Sequence, residues 1–345
     1  MKRALKWFFG GVAVLIVLAL LVAAGGSLLS LDWSRAHATA TSALPVFRGF
    51  GQDEIVRIPA RGMEFRARLA GDRGDGVIFL HGFPATSAMW EPLLTAAADA
   101  GYRATAFDQR GYSPGARPDG VESYAAPELI NDVLAVADAV GFDRFHLVGH
   151  DWGSAVGWGV VLRHPERVQT WSSLSIPHPS AFLGALDDDP DQQARSAYFR
   201  LFSTPWVPEV LFTFNGLAGL RDGVYADMTP QQREEYLRVF AEPGALTAAL
   251  NYYRAIPLSR TSAADASPDI TRPTLFLWGN RDPAVGRTSV AAQRPFMKDT
   301  YREVELDGTH WLVEGQGPRV VEEILTHWKG DTVPGVVAPE GKPRS

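Results

Sequence analysis

Phe145-His146-Leu147-Val148-Gly149-His150-Asp151-Trp152-Gly153-Ser154-Ala155-Val156-Gly157-Trp158-Gly159-Val160 is the stretch on which the reading of this chain turns. Residues 145–148 form an apolar run that reads as a buried strand. The small residues of 153–160 read as a helix packed closely on a sheet. Gly149 and Gly153 flank a sharp turn between the two. A strand, a tight turn and a helix, with a reactive side chain at the apex, is the geometry of a nucleophile elbow. The apex usually carries Ser, and here it carries Asp151. A carboxylate with an ordinary pKa of about 3.9 is ionised at neutral pH and attacks without an activating base.

Working outward, the chain alternates strand and helix. Strands are expected at 54–59 and 63–69, joined by a turn at Arg61-Gly62, and Arg73-Gly74-Asp75 reads as turn chemistry. Residues 77–80 read as a fully buried strand ending at His81-Gly82-Phe83-Pro84, with Phe83-Pro84 a candidate cis bond. A helix follows at 89–100, then a strand at 103–107 with the exit loop Asp108-Gln109-Arg110-Gly111-Tyr112. An amphipathic helix at 122–140 leads to the elbow strand, and a further strand covers 168–176. This rhythm predicts an α/β fold with a mostly parallel, doubly wound sheet and helices on both faces. It breaks at Pro177-His178-Pro179. Residues 178–268 are helical, aromatic and rich in proline, with no strand signal, and read as an inserted helical cap. The sheet resumes at 274–278 and 301–306, followed by a helix at 318–328. The core therefore comprises 51–177 and 269–329. Residues 32–50 read as a tether, and 330–345, rich in Pro, Gly and Lys, as a disordered tail.

The N-terminus reads separately. Lys2, Arg3 and Lys6 precede an uncharged apolar run at 7–24 that continues weakly to Leu31. A bilayer span needs about 17 to 20 such residues, whereas a signal-peptide core has about 7 to 15. The expectation is an N-terminal apolar helix within 1–31 that anchors the chain once in a cell membrane. The basic flank would put the catalytic domain outside the cytoplasm. The alternative is a cleaved signal, with Ala38-Thr39-Ala40 as the cleavage site and a secreted product.

Composition narrows the chemistry. The chain has no cysteine among its 345 residues, which excludes a thiol nucleophile, disulfides, Cys-ligated zinc and iron–sulfur clusters. The eight His are scattered with no HExxH pattern, so no metal site is expected. A formal net charge of −6 argues against nucleic acid as a partner. His81-Gly82-Phe83-Pro84 after the first buried strand is not a GxGxxG fingerprint, and no cofactor is expected.

Three groups lie just past strands, where sites on parallel sheets form. They are Asp151 at the elbow, Asp282 after Trp278-Gly279-Asn280-Arg281, and His310 after Leu306-Asp307-Gly308-Thr309. Asp282 would accept the imidazole N–H and fix its tautomer. His310 would deprotonate a water near pH 7 to attack the carbonyl carbon of an alkylated Asp151. The backbone N–H groups of Trp152 and Phe83 are the expected donors to the resulting oxyanion. His81 and His150 read as loop-holding groups, His178 as a brace at the cap entry, and Asp187-Asp188-Asp189 as a solvated cap segment.

Residues 77–329 resemble an α/β-hydrolase of the epoxide hydrolase family, which is close to the haloalkane dehalogenases. The matching pieces are His81-Gly82-Phe83-Pro84, Asp108-Gln109-Arg110-Gly111-Tyr112, Gly149-His150-Asp151-Trp152-Gly153, Ser175-Ile176-Pro177-His178-Pro179 and Asn251-Tyr252-Tyr253-Arg254-Ala255. The resemblance implies two cap tyrosines that hydrogen-bond an epoxide oxygen. Tyr253 matches the second, with Tyr252 its rival. Tyr198, in Ala197-Tyr198-Phe199-Arg200, resembles the first, with Arg200 standing where Gln is common. Ring opening develops an alkoxide, and a phenol of pKa about 10 donates to it while remaining protonated at neutral pH. The expected reaction is hydrolysis of an epoxide to a vicinal diol through an aspartyl ester. A small lipophilic epoxide and water are the expected partners, with Phe199, Phe202, Trp206, Phe212, Phe214 and Tyr225 as candidates for an apolar pocket. Two other readings share the scaffold. A dehalogenase would use the same nucleophile, with the Trp152 indole cradling halide, although Phe83 stands where haloalkane dehalogenases usually carry Asn. A non-catalytic binding protein would need neither base nor acid.

Overall fold

Val77-Ile78-Phe79-Leu80 is apolar throughout because both faces of its strand are covered, the signature of a central parallel strand. In the computed structural model, which describes residues 44–51, 55–262 and 268–330, it forms β3 (Gly76–Leu80), buried at every position. Around it lie β1 (Ile55–Ala60), β2 (Met63–Ala70), β4 (Arg103–Phe107), β5 (Phe145–His150), β6 (Val168–Leu174), β7 (Thr274–Gly279) and β8 (Tyr301–Leu306). They make one eight-stranded sheet in the order β1-β2-β4-β3-β5-β6-β7-β8. Strands β3 to β8 run parallel, whereas β2 pairs antiparallel with both β1 and β4. This is the mostly parallel α/β sheet expected from the alternation of elements, in the α/β-hydrolase form that the resemblance implies.

Helices α1 (Glu91–Asp99), α2 (Ala126–Ala139) and α3 (Trp152–Arg163) follow β3, β4 and β5. Helix α3 lies unusually close to the sheet. A Cβ at Gly153 would stand 2.0 Å from the Leu80 carbonyl oxygen, so only glycine fits there.

Between β6 and β7 the chain leaves the sheet and forms a layer of helices. These are α4 (Pro179–Asp188), α5 (Pro190–Arg195), α6 (Tyr198–Ser203), α7 (Val207–Ala218), α8 (Pro230–Phe240), α9 (Ala245–Arg254) and α10 (Ile256–Ser262). Most begin with proline at the first turn, where its missing N–H costs nothing. Helices α11 (Arg287–Ala291) and α12 (Leu312–Trp328) complete the fold. Helix α12 starts six residues before the expected 318. The break is only a local kink at Gln316, which lets Pro318 sit inside the helix.

Two expectations at the N-terminus change. Residues 44–50 do not hang free as part of a tether. The Phe47 N–H donates to the Arg57 carbonyl oxygen and the Arg57 N–H to the Pro45 carbonyl oxygen, a parallel bridge centred on Val46 and Arg57, and Phe50 stacks on Phe142. The single-pass membrane placement is also corrected: among the described residues no helix is long and apolar enough to cross a membrane. The N-terminal apolar helix expected within 1–31 and the cleavage site at 38–40 lie outside the described residues, as do residues 331–345 of the expected tail.

Candidate active site

The elbow holds Asp151 at φ +51°, ψ −119°, a conformation that a side chain with Cβ rarely adopts. The strain aims the carboxylate at the sheet's C-terminal edge. Gly82 makes room for it, since a Cβ there would meet Asp151 Cβ at 2.4 Å and Oδ1 at 2.5 Å. The Phe83 N–H donates to Asp151 Oδ1 at 2.7 Å. Phe83-Pro84 is cis. The Trp152 N–H belongs to the first turn of α3, where helical N–H groups have no acceptor within the helix.

On the other side of Asp151 stands His310, after β8. Its Nε2 lies 3.5 Å from Asp151 Oδ2. Its Nδ1 lies 2.9 Å from Asp282 Oδ2. A carboxylate cannot donate, so Nδ1 carries the proton and Nε2 is the basic nitrogen. Asp282 follows β7, and its Oδ1 accepts the N–H groups of Ala284 at 2.7 Å and Val285 at 3.2 Å. The structure thus brings Asp151, Asp282 and His310 together in one buried cluster.

Charge shapes this cluster. Burial works against ionising Asp151, but the hydrogen bond and charge of His310 and the Phe83 N–H hold its pKa below the ordinary value. Asp282 behaves alike: burial opposes its charge, and His310 and Ser175 more than offset it. For His310, burial pushes down, yet the two flanking carboxylates hold it well above the usual imidazole range. The neighbouring His150 is pushed down to about 4, by burial first and by His310 second. Its Nε2 donates to the His310 carbonyl oxygen at 2.9 Å, which holds the loop.

The cap tyrosines separate. Tyr252 donates its hydroxyl to the Arg110 carbonyl oxygen at 2.8 Å, which commits it to tying α9 onto the core. Tyr253, one residue on, packs edge-on against the Trp152 ring at 5.1 Å and the Phe83 ring at 5.5 Å. Tyr198 lies beside it, with ring centroids 6.1 Å apart. Burial pushes both phenols well above their ordinary pKa, and the Asp151 charge adds to the shift. Both therefore remain proton donors at neutral pH.

Of the candidate pocket residues, Phe202 and Phe212 do reach Phe83, at 5.5 and 6.1 Å between centroids. Trp206 and Phe214 do not line a pocket: they are 81% and 43% exposed on the outside of the cap. Tyr225 donates its hydroxyl to the Pro84 carbonyl oxygen instead. His81 and His178 hold loops: His81 Nε2 accepts the Gln109 N–H at 3.0 Å, and His178 Nδ1 accepts the Ser180 N–H at 3.2 Å. Among the described residues no group of three or more His, Asp or Glu could hold a metal ion. Ser175 has no assigned role in the sequence reading. Its Oγ lies 2.5 Å from Asp282 Oδ2 and 2.9 Å from His310 Nδ1. The available signal was a polar residue closing a buried strand at the edge where such sites form.

Residues 76–315 match the family model described as alpha/beta hydrolase fold. The chain is 31% identical to human epoxide hydrolase 4 over 293 residues, covering 80% of this chain and 79% of that protein. It is 30% identical to epoxide hydrolase A of Mycobacterium tuberculosis, covering 79% of this chain and 96% of the relative. The fold superposes on an epoxide hydrolase from Bacillus megaterium, solved with an inhibitor, at a TM-score of 0.72. That likeness is 24% identical and covers 79% of this chain and 99% of the other.

Proposed function

This chain belongs to the epoxide hydrolase family of the alpha/beta hydrolases and is a hydrolase, and from that premise we propose that it converts a lipophilic epoxide and water to a vicinal diol through an ester on Asp151. One observation carries the proposal. The elbow carboxylate has one oxygen on a backbone N–H and the other 3.5 Å from a buried imidazole that is itself backed by Asp282.

In the first step Asp151 Oδ2 bonds to a ring carbon of the epoxide. The carbon–oxygen bond of the ring breaks, and its electron pair stays on the departing oxygen. That oxygen takes a proton from Tyr253 or Tyr198. The low pKa of Asp151 and the high pKa of the phenols put both partners in the required protonation state across the neutral range.

The second step needs a base, and the first step supplies it. In the resting site two carboxylates hold His310 toward its charged form. Esterification removes the charge of Asp151, so the imidazole falls back toward its neutral, basic form. It can then take a proton from water while the water oxygen bonds to the ester carbon. The carbonyl electron pair moves onto Oδ1, where the Phe83 and Trp152 N–H groups receive it. Collapse breaks the bond from the ester carbon to Oδ2. Oδ2 leaves with the product and is protonated by the imidazolium. The proton left on the new carboxyl group returns to the tyrosine. One water is consumed, and its oxygen stays in Asp151 after the first turnover.

Single-turnover hydrolysis in heavy-oxygen water tests this. The label is expected in the peptide carrying Asp151 and not in the first diol released. Label found directly in that diol would mean that water attacks the epoxide itself.

A further inference from the structure

Ser175 stands immediately after β6 at φ +79°, a backbone state that glycine adopts freely and a residue with Cβ does not. The turn is pinned by the Ser175 N–H, which donates to the Leu277 carbonyl oxygen at 2.9 Å. The side chain is fully buried. A strained, buried serine where glycine would be easier points to use of the hydroxyl. The bonding pattern shows which use. Asp282 Oδ2 can only accept, so the hydroxyl hydrogen goes to it across 2.5 Å. The oxygen then accepts from His310 Nδ1–H across 2.9 Å, alongside the Asp282 oxygen at the same distance. Serine, carboxylate and imidazole close a three-membered ring of hydrogen bonds.

We propose that Ser175 is a positioning residue for the hydrolytic half of the reaction: its hydroxyl clamps the Asp282 carboxylate and the Nδ1–H form of His310 so that Nε2 stays aimed at Asp151. This rests on the aspartyl-ester reading above. The charged and titratable groups around His310 are Asp151 on Nε2, Asp282 on Nδ1, His150 at 4.7 Å between ring centroids, and Glu314 from the first turn of α12. Ser175 acts on one of them, Asp282. By donating to its carboxylate it draws charge away from the imidazole and moderates the imidazole's basicity. The alkylation step, which uses Asp151 and the tyrosines, does not pass through this ring.

The test uses the full chain and the fastest substrate from a panel of aryl and long-chain terminal epoxides. Ester on the protein is followed by rapid quench and intact mass. Ser175→Gly suits the backbone and removes only the hydroxymethyl group. It is expected to form ester within about twofold of the wild-type rate but to hydrolyse it roughly tenfold to a hundredfold more slowly, the scale of one hydrogen bond to a charged group. Ester should accumulate at steady state, and the acid limb of its hydrolysis should move to higher pH. Ser175→Asn tolerates positive φ and keeps a donor, and it should recover most of the lost rate. Clearance of ester by Ser175→Gly at the wild-type rate with an unmoved limb overturns the inference, and so does equal slowing of both steps. His310→Gln separates the two claims: if it too carries no ester, the covalent reading fails and takes this inference with it.

Discussion

The proposed route puts Tyr253 and His310 in opposite halves of the cycle, and single substitutions can tell them apart. Tyr253→Phe keeps the ring contacts with Trp152 and Phe83 and removes only the donor to the developing alkoxide. Its expected effect is a roughly hundredfold to thousandfold slower ester formation, with ester hydrolysis nearly unchanged. His310→Gln should show the reverse: ester forms, stays, and adds the mass of one epoxide to the chain. Pre-steady-state mass measurements check both. Loss of ester formation in the His310 variant would count against the covalent route. The same logic explains why Tyr252 is a poor donor candidate. Its hydroxyl hydrogen already belongs to the Arg110 carbonyl, and giving it to substrate would take that bond away.

At the scale of elements, the question is what seats the cap over the sheet. Phe83 is the apolar centre of that contact, touching Phe202, Phe212, Phe240 and Tyr253 from four cap elements. Glu242, in the turn between α8 and α9, is the polar centre. Its buried carboxylate receives Arg66 Nη1 at 3.0 Å and Arg117 Nη2, while Arg66 also pairs with the buried Asp108 at 2.5 Å. Removing one member of such a network leaves buried charge without its compensation. Glu242→Gln is therefore expected to lose about 3 to 5 kcal/mol of stability, measured by urea unfolding. A loss under about 1 kcal/mol would mean that water or neighbouring groups satisfy the arginines. The cap also grips the site itself. Arg195 Nη1 donates to the Asp282 carbonyl oxygen at 2.6 Å, and Gln192 bonds to both Ala284 and Gly286 in the same loop. Cap position and acid position are thus mechanically linked.

The whole molecule carries an acid sensitivity set by its histidines. Burial is the leading cause that pushes His81, His146, His150, His178 and His327 below the ordinary imidazole pKa, four of them to about 4. The unfolded chain binds protons at these groups near pH 6.5 and the folded chain does not. Their contribution to stability is present above that pH and is lost as pH falls toward 4. His310 works the other way, because its folded pKa is raised; it stabilises at low pH and loses that effect as pH rises. Five groups outweigh one. Unfolding free energy is expected to fall between pH 7 and 5 by more than about 1.4 kcal/mol per pH unit, the slope for a single proton. Urea midpoints that stay equal at pH 7 and 5.5 would show that these imidazoles are not held neutral in the fold.

Local pattern along the chain carried most of the strands and helices, apart from the first turns of α12 and the bridge at 44–50. Strand and helix periods are written in neighbouring residues, so the sheet, the elbow and the break into a helical layer at Pro177-His178-Pro179 could all be read directly. Asp151, Asp282 and His310 could be placed near one another because parallel strands end on one edge, and each residue lies just past a strand. Direction and distant partners are settled only in the folded chain. Adjacent residues on a helix point about 100° apart, so Tyr252 turns to the Arg110 carbonyl and Tyr253 to the elbow, a choice no spacing reveals. Trp206 and Phe214 have the same apolar character as Phe202, yet they face outward. Glu242 and Arg66 are 176 positions apart, and Ser175 lies 107 from Asp282 and 135 from His310. Such pairs exist only because the folded chain brings its strand ends together and closes the helical layer over them.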